Sequence, residues 1–217
     1  MTNSASISSN APICSCVMRK LLLSFIFLVL PGLCQAKTVL VLGDSISAGY
    51  GLEKIDHGWV AMLQEAARPL GAEVVNASIS GETSAGGLAR IDELLRRHRP
   101  TVVILELGAN DGLRGLSPKQ LEANLSEMTV RSKAAGAEVL LLGMKIPPNY
   151  GKRYADLFRN VFHRVTETHD TAFVPFLLEG VGGQDHLMQA DGLHPNREAQ
   201  AILFRQVWDK LEPMLAR

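Results

Sequence analysis

The stretch Lys37-Thr-Val-Leu-Val-Leu-Gly-Asp-Ser-Ile-Ser47 predicts the point around which the fold is organised. Residues 38–42 are apolar and rich in β-branched side chains, and Gly43 ends the run, which is typical of a strand buried on both faces of a parallel sheet. Because the strand stops abruptly, Ser45 is expected at the carboxyl edge of the sheet, where open α/β sheets bind ligands. Asp44 and Ser45 also suit a helix cap or a turn, so this stretch alone leaves two interpretations open.

Apolar strands and amphipathic helices alternate along the rest of the chain. Further strands are predicted at residues 73–77, 101–107, 138–144 and 172–176. Helices are predicted at about residues 58–70, 84–98 and 117–136, around 157–165 and around 203–211. This alternation implies a parallel sheet with helices on both faces and right-handed crossovers. The predicted fold class is therefore α/β: one three-layer α/β/α, flavodoxin-like domain around a five-stranded parallel sheet, spanning residues 37–217.

The spacing of apolar residues also predicts which helix residues face the core. The predicted inner faces are Trp59, Met62, Leu63, Ala66 and Leu70 in the first helix and Leu203, Val207 and Leu211 in the last. The fourth helix is marked by Leu157, Phe158, Val161, Phe162 and Val165. Ser117 and Gln120 predict a capping box at the start of the third helix. Glu106 is unexpected because it interrupts an apolar strand, and a neighbouring loop is expected to supply its partner.

Residues 1–36 have the composition of an N-terminal extension followed by a cleavable signal peptide. Arg19 and Lys20 precede a short apolar run, and Cys34 and Ala36 are the small residues of a signal-peptidase site that predicts cleavage after Ala36. Leu33 does not suit a lipoprotein signal, which would need a small residue before Cys34. The sequence therefore predicts export to the periplasm, with no stable membrane anchor after cleavage.

Composition excludes several classes of function. The chain carries 22 Lys and Arg against 22 Asp and Glu and has no polybasic tail, so no nucleic-acid partner is expected. Its three cysteines all precede residue 37, and the predicted mature domain therefore has no disulfide. The domain is expected to be a monomer whose partners are small molecules.

Chemically useful side chains follow the predicted strands. Four loops at one edge of the sheet present Ser45, Gly81, Asn110, and the pair Asp191 and His194. A serine hydrolase needs a hydroxyl nucleophile, a base, a carboxylate that orients the base, and donors for the oxyanion. Asp191 and His194 are three residues apart, so one helical turn places both side chains on one side. An Asp-Gly turn with an N-terminal cap would explain that pair equally well.

These segments together resemble a known family. Gly43-Asp-Ser45, Asn76-Ala-Ser-Ile-Ser-Gly81, Gly108-Ala-Asn-Asp111 and Asp191-Gly-Leu-His194 match the four blocks of SGNH (GDSL-type) hydrolases in the family's order and spacing. The resemblance covers residues 38–213 and extends, through residues 106–115 and 148–151, to the periplasmic thioesterases and lysophospholipases of that family. It departs at Ala190, where that branch has an acidic residue, and it thins around residues 180–186.

The resemblance implies the SGNH hydrolase fold and a role for each matched residue. Ser45 would be the nucleophile, His194 the base and Asp191 its orienter; the backbone N–H groups of Ser45 and Gly81 and the Asn110 side chain would form the oxyanion hole. It implies an enzyme without cofactor or metal that hydrolyses acyl esters, thioesters or lysophospholipids through an acyl-serine intermediate. Two alternatives stay open, a carbohydrate O-acetylesterase and a non-catalytic periplasmic ester-binding protein.

Substrate contacts and metal binding are the remaining sequence questions. Leu113, Leu116, Ile146 and Tyr150 are expected to line an acyl groove, although they would also suit packing beneath the loops. A metal site built from Asp185, His186, Asp191 and His194 is a further alternative. No Gly-x-Ser-x-Gly elbow occurs, which argues against the α/β-hydrolase fold.

Overall fold

The computed structural model describes residues 37–217, and the predicted leader, residues 1–36, lies outside the described residues. Five strands form one parallel sheet: β1 (Lys37–Gly43), β2 (Ala72–Asn76), β3 (Val102–Glu106), β4 (Glu138–Leu142) and β5 (Ala172–Val174). Their order across the sheet is β2-β1-β3-β4-β5, which is the flavodoxin-like order. The predicted α/β class and five-stranded parallel sheet are confirmed.

The helices of the described residues form two layers. They are α1 (Ser45–Ala48), α2 (Trp59–Ala67), α3 (Ser84–His98), α4 (Ala109–Leu113), α5 (Pro118–Ala134), α6 (Lys152–His169) and α7 (Gln200–Leu215). Short 3₁₀ turns lie at Ile55–His57, Arg68–Leu70, Pro148–Tyr150 and Asp185–Leu187. Helix α5 packs between α3 and α6, while α2 packs against α7. None of the helices in this part of the chain is both long and apolar enough to cross a membrane.

The core is centred on β1 and β3, whose apolar residues are buried on both faces, as predicted for a parallel sheet. One prediction for a helix face is wrong, and one residue that marks a helix lies off its buried face. Leu70 is exposed because α2 ends at Ala67 and the tighter 3₁₀ turn that follows rotates it off the buried face. Leu157 is exposed because the buried face of α6 repeats from Phe158 at intervals of three and four residues, and Leu157 lies about 100° from it.

Helix α5 begins at the predicted residue but with a different set of contacts. Ser117 caps the helix by accepting the N–H of Gln120 over 3.4 Å. The Gln120 side chain donates to Asn124 Oδ1 over 2.9 Å instead of returning to Ser117. Only half of the predicted capping box is therefore formed. The Gln120 side chain points toward Asn124, one turn further along the helix, and does not reach the Ser117 N–H.

The sheet has its topological switch between β1 and β3, which are neighbours although β2 separates them in sequence. The connections from their carboxyl ends leave in opposite directions and open a crevice between them, the usual ligand site of such sheets. Asp44 and Ser45 follow β1 into this crevice, and residues 107–110 follow β3. The fold thereby places the predicted functional loops side by side.

Candidate active site

Ser45 lies at the carboxyl end of β1, where the strand changes into a helix within two residues. Asp44 is the N-cap of α1, and its Oδ1 accepts the N–H of Ile46 over 3.0 Å. Ser45 is the first residue of α1 and is partly exposed in the crevice. Both interpretations of this stretch are therefore correct, since Asp44 caps a helix and Ser45 is presented at the edge of the sheet.

His194 contacts Ser45 and Asp191 through its two ring nitrogens. With the proton on Nδ1, the ring donates to Asp191 Oδ2 over 2.6 Å, while Nε2 accepts the Ser45 Oγ–H over 2.9 Å. Asp191 Oδ1 also accepts the backbone N–H groups of Leu193 and His194 over 2.9 and 3.0 Å. The hydrogen bond from the His194 ring, followed by that from its backbone, lowers the pKa of Asp191 to about 2. The carboxylate therefore stays charged, and it fixes the orientation of the ring.

A glutamine that sequence reasoning missed holds the His194 loop. The Gln189 N–H donates to the His194 carbonyl over 2.8 Å, and its side-chain amide donates to the carbonyls of Tyr50 and Pro195 over 2.8 and 3.1 Å. The Tyr50 ring lies against the imidazole, with centroids 4.6 Å apart. Gln189 thus joins the loop after α1 to the loop that carries the histidine. No motif or periodicity in the sequence marks it.

Asn110 reaches the crevice from the first turn of α4. Gly108 precedes that helix with a φ of +122°, a conformation that favours glycine over other residues. The Asn110 side chain donates one amide hydrogen to Asp44 Oδ2 over 3.0 Å. Its NH₂ group has two hydrogens, so the second is available to a ligand beside Ser45.

Gly81, whose backbone N–H is predicted to be an oxyanion donor, lies in the loop after β2. This loop is fixed by two arginines: Arg114 donates to the Gly81 carbonyl over 2.9 Å, and Arg90 donates to the Ala77 carbonyl over 2.9 Å and bonds Glu82. Within residues 37–217, neither the Ser45 N–H nor the Gly81 N–H has a hydrogen-bond partner. Both donors are therefore available to bind an oxyanion.

The loop of Gly81 and the helix of Asn110 are joined by a buried carboxylate. Asp111 is 4% exposed, and its two oxygens accept the N–H and the hydroxyl of Ser84, the first residue of α3, over 2.8 and 2.6 Å. Asn124 donates to the same hydroxyl over 2.9 Å. This network holds the two segments in fixed relation to each other.

A second buried carboxyl group lies behind Ser45. Glu106 Oε2 accepts the Ser47 hydroxyl over 2.6 Å and the Asp44 N–H over 3.1 Å. The sequence predicted a partner from a neighbouring loop, but these partners are a residue of α1 and the N-cap of that helix. Burial, and then the charge of Asp44, raise the pKa of Glu106 well above its ordinary value. Burial likewise raises the pKa of Asp44 to about 6.

A cavity of about 520 Å³ opens beside these groups. Its polar lining residues are Asp44, Ser45, Asn110, Lys145 and His194, and the remaining lining is apolar. Of the four residues predicted to line an acyl groove, Leu113 and Ile146 line this cavity, whereas Leu116 and Tyr150 do not. The Tyr150 hydroxyl instead donates to the Leu113 carbonyl over 2.9 Å.

Much of the apolar lining comes from segments that sequence reasoning did not select. These additional lining residues include Met144, Phe176, Leu178, Gly182, Gly183, Met188 and Leu193. Most of these residues belong to the connection between β5 and α7, which has no long helix or strand and so gives no periodic signal. As for the alternative metal site, no three His, Cys, Asp or Glu side chains among the described residues are grouped to hold an ion.

The sequence of the chain is similar to that of a known protein family. Residues 41–202 match the GDSL-like lipase/acylhydrolase family, which is most of the described domain and includes all five predicted site residues. The chain belongs to this family. The family resemblance expected from the four sequence blocks is confirmed.

Relatives of this GDSL-family chain are similar over almost their whole length. It is 52% identical over 202 residues to esterase TesA of Pseudomonas aeruginosa, covering 91% of this chain and 100% of the relative. It is 43% identical over 195 residues to thioesterase 1/protease 1/lysophospholipase L1 of Escherichia coli, covering 89% and 93%. A solved structure of esterase EstA from Pseudoalteromonas sp., inhibited by monoethylphosphonate, is 42% identical with a TM-score of 0.78, covering 83% of this chain and 100% of that one. The GDSL-family chain is an ester hydrolase that acts on small-molecule esters.

Proposed function

We propose that the chain hydrolyses esters and thioesters of acyl chains through an acyl-Ser45 intermediate. The observation that supports this is the continuous contact from the Ser45 hydroxyl through the His194 ring to the Asp191 carboxylate. This is the order of nucleophile, base and orienting group that acyl transfer requires.

In the first half of the reaction, Ser45 Oγ attacks the carbonyl carbon while its proton passes to His194 Nε2. The carbonyl oxygen becomes an oxyanion that accepts hydrogen bonds from the N–H groups of Ser45 and Gly81 and the free amide hydrogen of Asn110. Asp191 stabilises the imidazolium that forms. The carbon–oxygen or carbon–sulfur bond then breaks, and His194 returns its proton to the departing alcohol or thiol.

In the second half of the reaction, water takes the place of the departed alcohol or thiol. His194 takes a proton from water, the resulting hydroxide attacks the acyl-Ser45 carbonyl, and the same three donors hold the second oxyanion. Collapse releases the carboxylic acid, and the proton on His194 returns to Ser45 Oγ. Atoms and charge balance without a cofactor.

The cavity favours an acyl chain over an acetyl group. Its volume of about 520 Å³ and its mainly apolar lining suit an aliphatic chain, which an acetylated sugar does not supply. The names of the relatives, esterase and thioesterase/lysophospholipase, point the same way. We therefore place acyl esters, acyl thioesters and lysophospholipids ahead of acetylated carbohydrates as substrates.

A substrate panel tests this proposal. The wild-type protein and Ser45→Ala are assayed with p-nitrophenyl esters, acyl-CoAs, lysophospholipids and acetylated sugars, and both are treated with a fluorophosphonate probe. The wild type should prefer longer acyl chains and be labelled at Ser45, while Ser45→Ala should lose labelling and about a millionfold in kcat. Preference for acetylated sugars would overturn the substrate class. An unlabelled but active enzyme would overturn the nucleophile.

We further propose that residues 1–36 are a leader and that residues 37–217 act as a monomeric periplasmic domain. The Cys34-Gln-Ala36 site behind the apolar run supports this. Mass spectrometry of the exported protein should find Lys37 at the N-terminus, and gel filtration should give the mass of one chain. A mature protein that retains residues 18–36, or that carries lipid on Cys34, would contradict the proposal.

A further inference from the structure

Glu106 is the buried titratable group that the reaction above does not use. It is the last residue of the central strand β3 and is 0% exposed. Its Oε2 accepts hydrogen bonds from Ser47 and Asp44, while its Oε1 has no donor among the described residues. Burying a carboxyl group in this way is costly, so a residue that served only to fill space here would be better replaced by an apolar side chain of the same size.

The backbone around Glu106 is shaped to admit it. Gly43 lies opposite Glu106 in the pairing of β1 with β3. A Cβ atom at residue 43 would lie 2.5 Å from Glu106 Oε2 and 2.6 Å from Ser47 Oγ, so a side chain there would displace the carboxyl group. Gly43, the glycine of the first family block, therefore leaves the space that the Glu106 carboxyl group occupies.

Asp44 connects Glu106 to the oxyanion donors. The Asp44 backbone N–H donates to Glu106 Oε2 over 3.1 Å, and Asp44 is 1% exposed. Its Oδ2 accepts one amide hydrogen of Asn110 over 3.0 Å, which leaves the other free for the substrate. Because both carboxyl groups are buried and would repel each other if both were charged, a proton on Glu106 stabilises the pair.

We propose that Glu106 is a positioning residue of the oxyanion hole: its neutral carboxyl group holds Asp44 by accepting the Asp44 N–H, and the Asp44 side chain holds the Asn110 amide toward the reacting carbonyl. This proposal rests on the proposed acyl transfer at Ser45. Asp44 is the titratable group that faces Glu106, and His194 faces Asp44 in turn. The raised pKa of Glu106 has the direction that a protonated carboxyl requires.

Three variants test the proposal, each measured for kcat and KM per fluorophosphonate-labelled site. Glu106→Met keeps the volume but removes every hydrogen bond, and it should lose about tenfold to a hundredfold in kcat with KM nearly unchanged. Glu106→Gln keeps a neutral donor and acceptor, and it should retain kcat within a few-fold. Ile104→Val, two residues earlier in β3, is the matched control and should lose stability but no kcat.

A double-mutant cycle shows whether Glu106 acts through Asn110. If it does, Glu106→Met should cost kcat in the wild-type background but almost nothing in an Asn110→Ala background, because the amide it positions is gone. An equal loss in both backgrounds would overturn the proposal, as would full kcat per labelled site in a destabilised Glu106→Met protein.

The pH profile provides a test that does not depend on the folding of Glu106→Met. The ratio of kcat/KM for Glu106→Gln to that of the wild type cancels the titration of His194. It should rise toward alkaline pH, where the wild-type Glu106 loses its proton and the glutamine does not. A ratio independent of pH, or a Glu106→Gln protein as impaired as Glu106→Met, would overturn the proposal. Failure of the wild type to be labelled would instead contradict the role of Ser45.

Discussion

In the proposed reaction, the Asn110 side chain donates one amide hydrogen to the protein and the other to the oxyanion. One is bound to Asp44, so the position of the other is set before the substrate arrives. Such preorganised donors stabilise charge that develops only in the transition state. The Asn110 amide therefore connects the buried Asp44 carboxyl group to the oxyanion of the proposed reaction.

Asn110→Ala should therefore reduce kcat and leave KM nearly unchanged. Losing one oxyanion donor costs roughly 3–4 kcal/mol, or on the order of a hundred- to a thousandfold in kcat. The variant should stay folded and still react slowly with a fluorophosphonate. Asn160→Ala, an exposed asparagine of α6, serves as the control. Nearly full kcat in folded Asn110→Ala would show that other groups bind the oxyanion.

The connection between β5 and α7 is the element that supplies much of the apolar lining of the cavity. Gly182 lies on its lining, and its backbone is not in the left-handed region. A Cβ at this position would make ordinary contacts, 3.4 Å from the Phe176 ring and 3.6 Å from Leu178 Cβ. A side chain can therefore be added here without strain, and it would narrow the cavity.

Gly182→Val should shorten the preferred acyl chain. One or two methylene groups in an apolar pocket are worth about 1–3 kcal/mol, so kcat/KM for the longest chains should fall by roughly tenfold or more, with a much smaller change for acetyl esters. A series of p-nitrophenyl esters of increasing length measures this, with Val130→Ala, on the exposed side of α5, as a control. Equal changes in kcat/KM along the whole series would mean that acyl chains do not reach Gly182.

Elements with a strong pattern were predictable from sequence, and the irregular ones were not. The strand-to-loop transitions located Ser45, Gly81 and Asn110, because each follows an apolar run that ends abruptly. Leu70 shows a limit of periodicity, since a change from α to 3₁₀ geometry leaves no trace in the hydrophobic pattern. Gln189 and Phe176 show another, because their roles depend on contacts between loops far apart in sequence. The family resemblance thins around residues 180–186, and Gly182 and Gly183 of that segment line the cavity.

At the scale of the whole molecule, the buried carboxyl groups of Asp44 and Glu106 lower the free energy of unfolding at neutral pH. In the proposed reaction, the same groups position the oxyanion donors. Burial raises the pKa of Asp44 from 3.8 to about 6, so the folded protein binds this proton more tightly than the unfolded chain does. The stability that comes from protonating Asp44 is fully present below pH 3.8 and is lost as the pH rises through about 6. A shift of this size corresponds to at most about 3 kcal/mol.

Asp44→Asn should therefore be more stable than the wild type at neutral pH and less active. The gain should vanish in acid, because the wild-type carboxyl is then neutral as well. Urea unfolding at neutral and acidic pH measures the difference in free energy, and kcat measures the loss of positioning. Asp92→Asn, which removes an exposed partner of Arg131, is the control. A stability gain independent of pH would show that Asp44 titrates normally.

The two ends of the folded domain meet on the side away from the reaction. The Lys37 amine donates to the Leu215 carbonyl, and Lys37 begins the strand whose other end leads to Ser45. Seven residues at about 3.3 Å each separate these ends by roughly 20 Å. A bead, surface or fusion partner tethered beside Leu215 would therefore leave the mouth of the cavity facing the solution. The geometry suits this hydrolase to immobilisation through its C-terminal end.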